Sequence, residues 1–246
     1  MKPILLLAAG LLSFHSYAQT SVSGAILSNT TWTKANSPYV VKGDIAVDTA
    51  ITLKIEPGTV VKFDGNYVLY VDGKLIAQGT PAEKISFVTN NGNPTKDSWR
   101  GIKFRPKSKP DTSSIQYCEF NNANTGIYID GPAVYAENNI FKDCDAGLRY
   151  TDTWEPENER RYSTITNNTF ENNTFGIDGF YRYGGLITGN TFRGNEYGIR
   201  IKDFCAATIA NNVLSNNTNG LFYNYPTMIM PETYNNIITG NKKYGL

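Results

Sequence analysis

The sequence predicts an all-β solenoid, and three features carry that prediction. From Phe120 onward a unit recurs about every 22 residues, at intervals of 21, 29, 22 and 22. Each unit has an Asn-rich start, a large apolar residue and, six positions later, Gly followed by Ile or Leu. A short fixed period is typical of solenoids, because one unit cannot bury its apolar side alone. No segment has the periodicity of a long helix. The apolar anchors are Phe120, Phe141, Phe170, Phe192 and Leu214.

One unit contains three short strands separated by three corners. Within residues 189–211, β-forming runs at 191–193, 198–202 and 207–210 alternate with corners rich in Gly and Asn. This arrangement is typical of one coil of a right-handed parallel β-helix. Coils stack at about 4.8 Å, so equivalent apolar residues should form inward columns and equivalent Asn residues a hydrogen-bonded ladder. We predict a single β-helix domain over residues 37–246, with about eight or nine coils.

The first 18 residues have the pattern of a secretory signal peptide. Lys2 precedes an apolar stretch at 4–12, and residues 16–18 form a small-x-small cleavage site. The stretch is too short to span a bilayer, and no later segment reaches the required length. We therefore expect an exported protein without membrane insertion, located in the periplasm, on the cell surface or outside the cell.

The segment that follows changes from polar to strand-like. Residues 19–36 are rich in Ser, Thr and Asn and are predicted to form a leader or cap, with Trp32 as the first large apolar anchor. Further on, runs of β-forming residues alternate with turns that contain Gly, Pro, Asn or Asp, which is the pattern of strands. The predicted strands are 39–41, 51–55, 60–63, 68–71, 74–77 and 85–88.

Charge and histidine content exclude several function classes. Loss of residues 1–18 removes Lys2 and His15, the only histidine, and leaves 22 basic and 22 acidic residues. A neutral chain has no general field that would attract nucleic acid. Without His, the mature chain has no His-based acid–base chemistry, catalytic triad or imidazole metal site. We expect no resident cofactor, with Ca²⁺ considered only for the lyase alternative below.

Three cysteines remain: Cys118, Cys144 and Cys205. An odd number leaves at least one outside any disulfide within the chain. Cys118 lies two residues before an apolar anchor and Cys144 lies three after one, so stacking does not bring these two together. We expect buried, inert thiols.

Residues 117–246 resemble the parallel β-helix repeat family found in exported carbohydrate-active and surface proteins. The N-terminal part is similar to the segment that often opens such helices in secreted bacterial proteins. The motifs of that second similarity are 38–41, 55–63, 73–80 and 99–104. The resemblance implies the fold but no single activity, because one fold carries many functions. It also implies that, where a member acts on polysaccharide, the strand after the repeat's Gly carries the cleft.

Two irregularities interrupt the repeat. The interval of 29 residues contains an insertion at 150–162 that includes Trp154, and solenoids place binding loops at such insertions. A solvated charged loop is the alternative. The second irregularity is the end of the chain, where a sixth unit starts at Asn235 without a capping element. An open sheet edge invites pairing, so we expect an edge partner or a continuation of the protein beyond Leu246.

The strand after the repeat's Gly is the candidate binding surface. Its Ile or Leu should point inward, so alternate residues should point outward in one exposed column. Aromatic rings stack on sugars, and Arg binds carboxylates or sulfates with two hydrogen bonds. Ordinary cross-strand pairing between charged neighbours is the alternative. This outward strip comprises Tyr128, Asp130, Arg149, Asp178, Phe180, Arg200, Lys202, Phe222 and Asn224, and the strand-end residues Tyr181, Arg182 and Tyr223 follow.

The enzyme hypotheses differ in the residues that they need. Residues 200–202 resemble the Arg-x-Lys element of pectin-hydrolysing β-helix enzymes, but the His and the adjacent Asp pair of that family are absent, so the two-carboxylate mechanism has no carriers. A uronate lyase needs a base and a group that neutralises the substrate acid. Arg149, Arg200, Lys202 and Tyr181 supply candidates for these roles.

Three functions therefore remain. The first is an exported, non-catalytic protein that binds polysaccharide along the outward strip. The second is a uronate lyase, and the third is a structural stalk within a longer surface protein.

Overall fold

The computed structural model describes residues 19–105, 113–151, 162–180, 184–202, 206–224 and 231–245. Several sequence-based expectations lie outside these ranges. They are the signal peptide at 1–18, Trp154 with most of its insertion, Tyr181, Arg182 and Cys205.

The described residues form a parallel β-solenoid of about nine turns, as predicted. Besides strands, they contain one three-residue 3₁₀ turn, Lys34–Asn36. Each strand pairs in parallel with its equivalents one coil before and one coil after, and the strands fall on three faces.

Face 1 carries the strands that begin each coil, and face 2 carries the strands that follow the repeat's Gly. Two long strands, β1 and β3, run across both faces. Face 1 contains β1 (Thr20–Ile26), β3 (Tyr39–Val47), β5 (Val60–Phe63), β8 (Ile85–Thr89), β11 (Cys118–Asn121), β14 (Ile140–Lys142), β17 (Thr169–Glu171), β20 (Thr191–Arg193), β23 (Val213–Ser215) and β26 (Ile237–Thr239). Face 2 adds β6 (Val68–Val71), β9 (Gly101–Phe104), β12 (Thr125–Asp130), β15 (Ala146–Thr151), β18 (Phe175–Gly179), β21 (Tyr197–Lys202) and β24 (Asn219–Asn224).

Face 3 closes each coil as a separate sheet of nine strands. It contains β2 (Thr30–Trp32), β4 (Thr52–Ile55), β7 (Lys74–Gln78), β10 (Ser113–Gln116), β13 (Val134–Glu137), β16 (Ser163–Thr166), β19 (Gly184–Thr188), β22 (Ala206–Ala210) and β25 (Glu232–Tyr234). The segment 19–36, expected to be a leader or cap, thus supplies β1 and β2 to the first coil. Trp32 is buried in the core and stacks on Tyr39, with ring centroids 4.9 Å apart.

A column of phenylalanines runs through the interior behind face 1. Adjacent rings are parallel to within 10°, and their centroids are 4.7–5.0 Å apart. All five are fully buried, so each contributes about 1.5–3 kcal/mol of hydrophobic stabilisation. The predicted inward column is confirmed. Its members are Phe87, Phe120, Phe141, Phe170 and Phe192.

Two asparagine ladders hold the corners on either side of that column. In each step the backbone N–H of one Asn donates to the side-chain Oδ1 of its equivalent in the next coil, as from Asn173 to Asn195 at 2.9 Å. The side-chain Nδ2 donates back to a carbonyl of the preceding coil, as from Asn195 to Phe170 at 3.0 Å. The predicted ladder is therefore present twice. One contains Asn139, Asn168, Asn190, Asn212 and Asn236, and the other contains Asn173, Asn195, Asn217 and Asn241.

The residue before each ladder position has a left-handed backbone. Asn172 has φ 56° before Asn173, and Gly194 has φ 68° before Asn195. Asn and Gly tolerate this conformation better than other residues. The repeated Asn-Asn and Gly-Asn pairs in the sequence are thus explained: the first residue turns the chain and the second bonds the coils.

The two described cysteines occupy ladder positions at the top of these columns. The N–H of Cys118 donates to Asn139 Oδ1, and that of Cys144 to Asn173 Oδ1, both at 2.9 Å. Neither is in a disulfide, and both are buried. Burial raises the pKa of Cys144 to about 12 and that of Cys118 further, so both stay protonated and unreactive. The expectation of buried thiols outside disulfides is confirmed for these two.

Replacement of a ladder asparagine should destabilise the fold more than any loss of volume would explain. In Asn195→Ala, the N–H of Asn173 and the carbonyl of Phe170 lose their partners inside the protein. Each unpaired buried group costs about 1–3 kcal/mol. Urea unfolding of the purified protein measures the loss.

The matched control is Cys144→Asn, which places a carboxamide beside Phe120 as Asn173 does beside Phe141. It should leave stability unchanged or raise it. Equal losses in Asn195→Ala and Cys144→Asn would contradict the role assigned to the ladders.

Candidate ligand-binding surface

The outward strip lies on face 2, where strand register aligns its members. Tyr128, Arg149, Asp178, Arg200 and Phe222 pair in sequence across β12, β15, β18, β21 and β24. Parallel in-register pairing puts each about 4.8 Å from the next. The structure therefore brings together five of the predicted candidates in a single column.

Asp178 is the centre of this column and differs from the sequence expectation. It was expected to be exposed, but none of its side chain is accessible to solvent. Arg200 donates to it through Nε at 2.7 Å and Nη2 at 2.8 Å, and Arg149 donates through Nε at 3.2 Å. The expectation was wrong because alternation gives only the direction of a side chain. The two long guanidinium groups from the neighbouring coils cover the short carboxylate between them.

The other two nitrogens of the Arg149 guanidinium also have partners within the protein. Nη1 donates to Thr125 Oγ1 at 3.1 Å, and Nη2 lies 3.5 Å from Asp145 Oδ2. All three nitrogens thus contact acceptors from the protein itself. The side chain is 21% exposed. Arg149 is therefore held in place by its own coil and by its neighbours.

Arg200 joins the charged centre to an aromatic surface. Its Cζ lies 3.6 Å from the ring centroid of Phe175 and 5.6 Å from that of Tyr197. A guanidinium over an aromatic face is attracted by the ring quadrupole. Arg200 thus bonds Asp178 along its edge and packs Phe175 against its face, which leaves 16% of its side chain exposed.

Beside the strip runs an aromatic row, defined here as Phe175, Tyr197, Phe222 and Tyr244. Phe175 and Tyr197 stack at 5.3 Å, Tyr197 and Phe222 meet at 5.4 Å with their planes 67° apart, and Phe222 lies 6.5 Å from Tyr244. The first three are partly exposed, and Tyr244 is 58% exposed. The row follows the axis of the solenoid over four coils.

Sequence reasoning found Phe222 but missed the rest of this row. Phe175 and Tyr197 precede the repeat's Gly, where strict alternation from Ile177 predicts an inward side chain. The chain instead departs from alternation at that Gly. A Cβ on Gly176 would lie 2.4 Å from the carbonyl of Gly198, so only glycine fits where the coils approach. The available signal was the pair of aromatic residues directly before Gly in consecutive units.

At the N-terminal end of the strip, Lys103 of β9 pairs in register with Tyr128 and has partners of its own. Lys103 Nζ lies 3.8 Å from Asp130 and 4.5 Å from the ring centroid of Tyr128. Burial, and then repulsion by Asp130, raises the pKa of Tyr128, so its hydroxyl is a neutral donor near pH 7. At the other end, Lys202 lies 4.7 Å from the ring centroid of Phe180.

Tyr223 does not belong to the strip, which corrects the sequence expectation. It pairs in register with the inward residue Ile201 and packs against the hydrophobic core. Its hydroxyl lies 2.6 Å from Thr233 Oγ1. Side chains continue to alternate up to the end of this strand. Tyr223, next to the outward-facing Phe222, therefore points inward.

The insertion at 150–162 meets the solenoid at the corner between faces 2 and 3. On one side, Tyr150 is buried, and a Cβ on Gly179 would lie 2.3 Å from its hydroxyl. On the other side, exposed Tyr162 borders a shallow depression of about 300 Å³ on face 3. That depression lies on a different face from the outward strip, and its floor includes Gly184 and Ala206.

Within the described ranges, no three His, Cys, Asp or Glu side chains converge in a way that would hold a metal ion. Asp130 and Asp178 belong to different coils. None of the helical segments in the described part is long and apolar enough to cross a membrane.

Comparison with known proteins finds a family and one partial relative. Residues 100–246 match a family model described as a right handed beta helix region. The chain is also 37% identical over 73 residues to Protein bark beetle of Drosophila melanogaster. That alignment covers 30% of this chain and 2% of the relative. No solved structure matches the chain significantly.

Removal of the Asp178 carboxylate should be strongly destabilising. In Asp178→Ala, two guanidinium groups lose their shared, fully buried partner, and the loss of one member of a buried pair costs about 3–5 kcal/mol. The measurement is the free energy of unfolding in urea.

The control for this prediction is an exposed ion pair on face 1. Arg193 lies 3.1 Å from Glu171 with more than half of its side chain in solvent, so Glu171→Ala should cost less than about 1 kcal/mol. A loss in Asp178→Ala no larger than in Glu171→Ala would contradict the structural role of Asp178.

Proposed function

The chain belongs to the family of right-handed β-helix proteins, and we propose that it is an exported, non-catalytic member that binds polysaccharide on face 2. The ligand lies along the aromatic row, beside the Arg149–Asp178–Arg200 centre. The observation that carries this proposal is the row itself. Partly exposed rings recur on consecutive coils at 5.3–6.5 Å, parallel to the solenoid axis.

The Arg149–Asp178–Arg200 centre holds Phe175 of the aromatic row in place. Arg200 is fixed by two hydrogen bonds to Asp178, and its guanidinium packs on Phe175. A ring that is held in place before binding loses little side-chain entropy when a ligand arrives. Rings with one apolar side available pack well on the C–H face of a sugar. An extended polymer contacts the exposed parts of rings on several coils.

The proposal of export rests on residues 1–18 of the sequence, which have the order of a signal peptide: Lys2, an apolar stretch and small residues before Gln19. An exported protein in the periplasm, on the surface or outside the cell has access to polysaccharide. N-terminal sequencing of the mature protein after export tests this directly, with Gln19 as the expected first residue.

The geometry gives less support to the uronate lyase alternative. The two arginines proposed to neutralise a substrate carboxylate both bond Asp178 instead. Of the other two candidates, Lys202 lies 4.7 Å from the ring centroid of Phe180, and Tyr181 lies outside the described residues. The stalk alternative shares the fold and differs in predicting no ligand, so a binding experiment separates it from the proposal.

The proposal is tested with a polysaccharide array and the double variant Tyr197→Ala plus Phe222→Ala. Loss of two rings should weaken binding at least about tenfold, equivalent to about 1.4 kcal/mol. Arg200→Ala is not a suitable probe, because it also removes a structural partner of Asp178.

The matched control is Tyr234→Ala, which removes a half-exposed ring from face 3. It should bind like the unaltered protein. Absence of binding to every polysaccharide, or equal binding by the double variant, would refute the proposal.

A further inference from the structure

We propose that the polysaccharide bound on face 2 is uncharged, and that the arginines of the strip do not recognise ligand carboxylates. This inference rests on the proposed function and specifies its ligand class. It reverses the chemistry that the sequence alone favours, in which Arg149 and Arg200 would bind uronate groups. The reason is that the protein supplies its own carboxylates at the positions a uronate would take.

The first step of the argument is the occupancy of Arg200. Its Nε and Nη2 form the fork with which Arg binds a carboxylate through two parallel hydrogen bonds. Both already donate to the two oxygens of Asp178, at 2.7 Å and 2.8 Å. Because the side chain of Asp178 is fully buried, a ligand carboxylate that bound Arg200 would have to displace Asp178 and leave it buried with only its weaker bond to Arg149.

The second step is that three more cations near this strip have carboxylates beside them. Arg149 contacts Asp178 and Asp145, Arg105 pairs with Asp72, and Lys103 lies near Asp130. Together with Arg200 these are four cations, and four carboxylates lie beside them. Lys202 lies over an aromatic ring. Among these groups charge is therefore nearly balanced, and their long-range attraction for a polyanion is weak. Lys242 and Lys243, exposed directly before Tyr244, add two cations at the C-terminal end of the row.

The third step is that ring surface remains available. Phe222 is turned 67° from Tyr197, so the row does not continue as a closed stack in which every ring covers the next. Tyr244 is more than half exposed. Asn219 lies in register between Tyr197 and Tyr244, but its side chain is buried and its Nδ2 donates to the carbonyl of Glu196 at 3.2 Å, so the exposed rings are the surface that a ligand meets. Exposed ring surface suits a sugar that offers C–H faces.

The arrangement also favours a polymer over a single sugar. The rings are distributed over consecutive coils along the solenoid axis. One sugar would contact one or two rings, whereas an extended chain contacts the whole row. Several weak contacts on one chain add to a measurable affinity.

The experiment compares immobilised neutral polymers, a glucan and a xylan, with immobilised polygalacturonate and alginate, using the full chain at about 50 mM and about 500 mM NaCl. We expect binding to a neutral polymer with less than about a twofold change between the two salt concentrations, because no ion pair forms with the ligand. Tyr197→Ala plus Phe222→Ala should weaken it at least about tenfold, and Tyr234→Ala should not. Circular dichroism confirms that each variant is folded.

The possible results separate this inference from the proposed function. Binding only to the uronate polymers, weakened strongly by salt, would overturn the inference and leave polysaccharide binding standing. Binding to none of the four polymers would remove the basis of both. Neutral-polymer binding that the double variant retains would overturn the assignment to the aromatic row.

Discussion

The structure depends on one constraint: each coil pairs in parallel and in register with the next, so every side chain lies beside its own equivalent about 4.8 Å away. Residues that stack well on themselves are therefore strongly favoured. Phenylalanine forms a column of parallel rings, with 4.7 Å between Phe170 and Phe192. Asparagine forms a ladder because its side chain both accepts and donates, and so bonds the coils on both sides. One geometric rule thus explains two very different interior columns.

The same in-register pairing determines which charged side chains lie beside each other on the outer surface. Like charges in register would repel, and the column on face 2 instead alternates Arg149, Asp178 and Arg200. The alternation buries a carboxylate on the outside of a solenoid. It also occupies the guanidinium groups, which leaves the neighbouring, partly exposed rings as the surface that we propose for the ligand.

Much of the fold could be predicted because a repeat shows its own constraints. The strand predicted at 191–193 agrees with the structure, and the Phe column and the Asn ladder follow from the recurrence of Phe and Asn at equivalent positions of the repeat. The function of Cys144 as a ladder member could not be predicted, since nothing in its chemistry resembles Asn. Only its position in the coil shows that its backbone N–H takes part in the same bond.

The candidate site was less predictable, for two physical reasons. Alternation gives the direction of a side chain but not what covers it, so the burial of Asp178 required the lengths and positions of its neighbours. Alternation of side-chain direction also fails where the backbone departs from a regular strand. It does so at Gly176, so the outward position of Phe175 could not be predicted. In both cases the missing information was the local path of the backbone and the reach of adjacent side chains, which no single-residue pattern contains.

Disulfide trapping across one coil step tests the in-register stacking most directly. Thr169 and Thr191 pair in register on the outer side of face 1, and strand spacing places their Cα atoms within the range that a disulfide bridges. Oxidation of the Thr169→Cys plus Thr191→Cys variant should give an intramolecular crosslink, detected by mass spectrometry. The pair Thr169→Cys plus Ser215→Cys, two coils apart, should not crosslink. Equal crosslinking of both pairs, or of neither, would contradict the register on which the account depends.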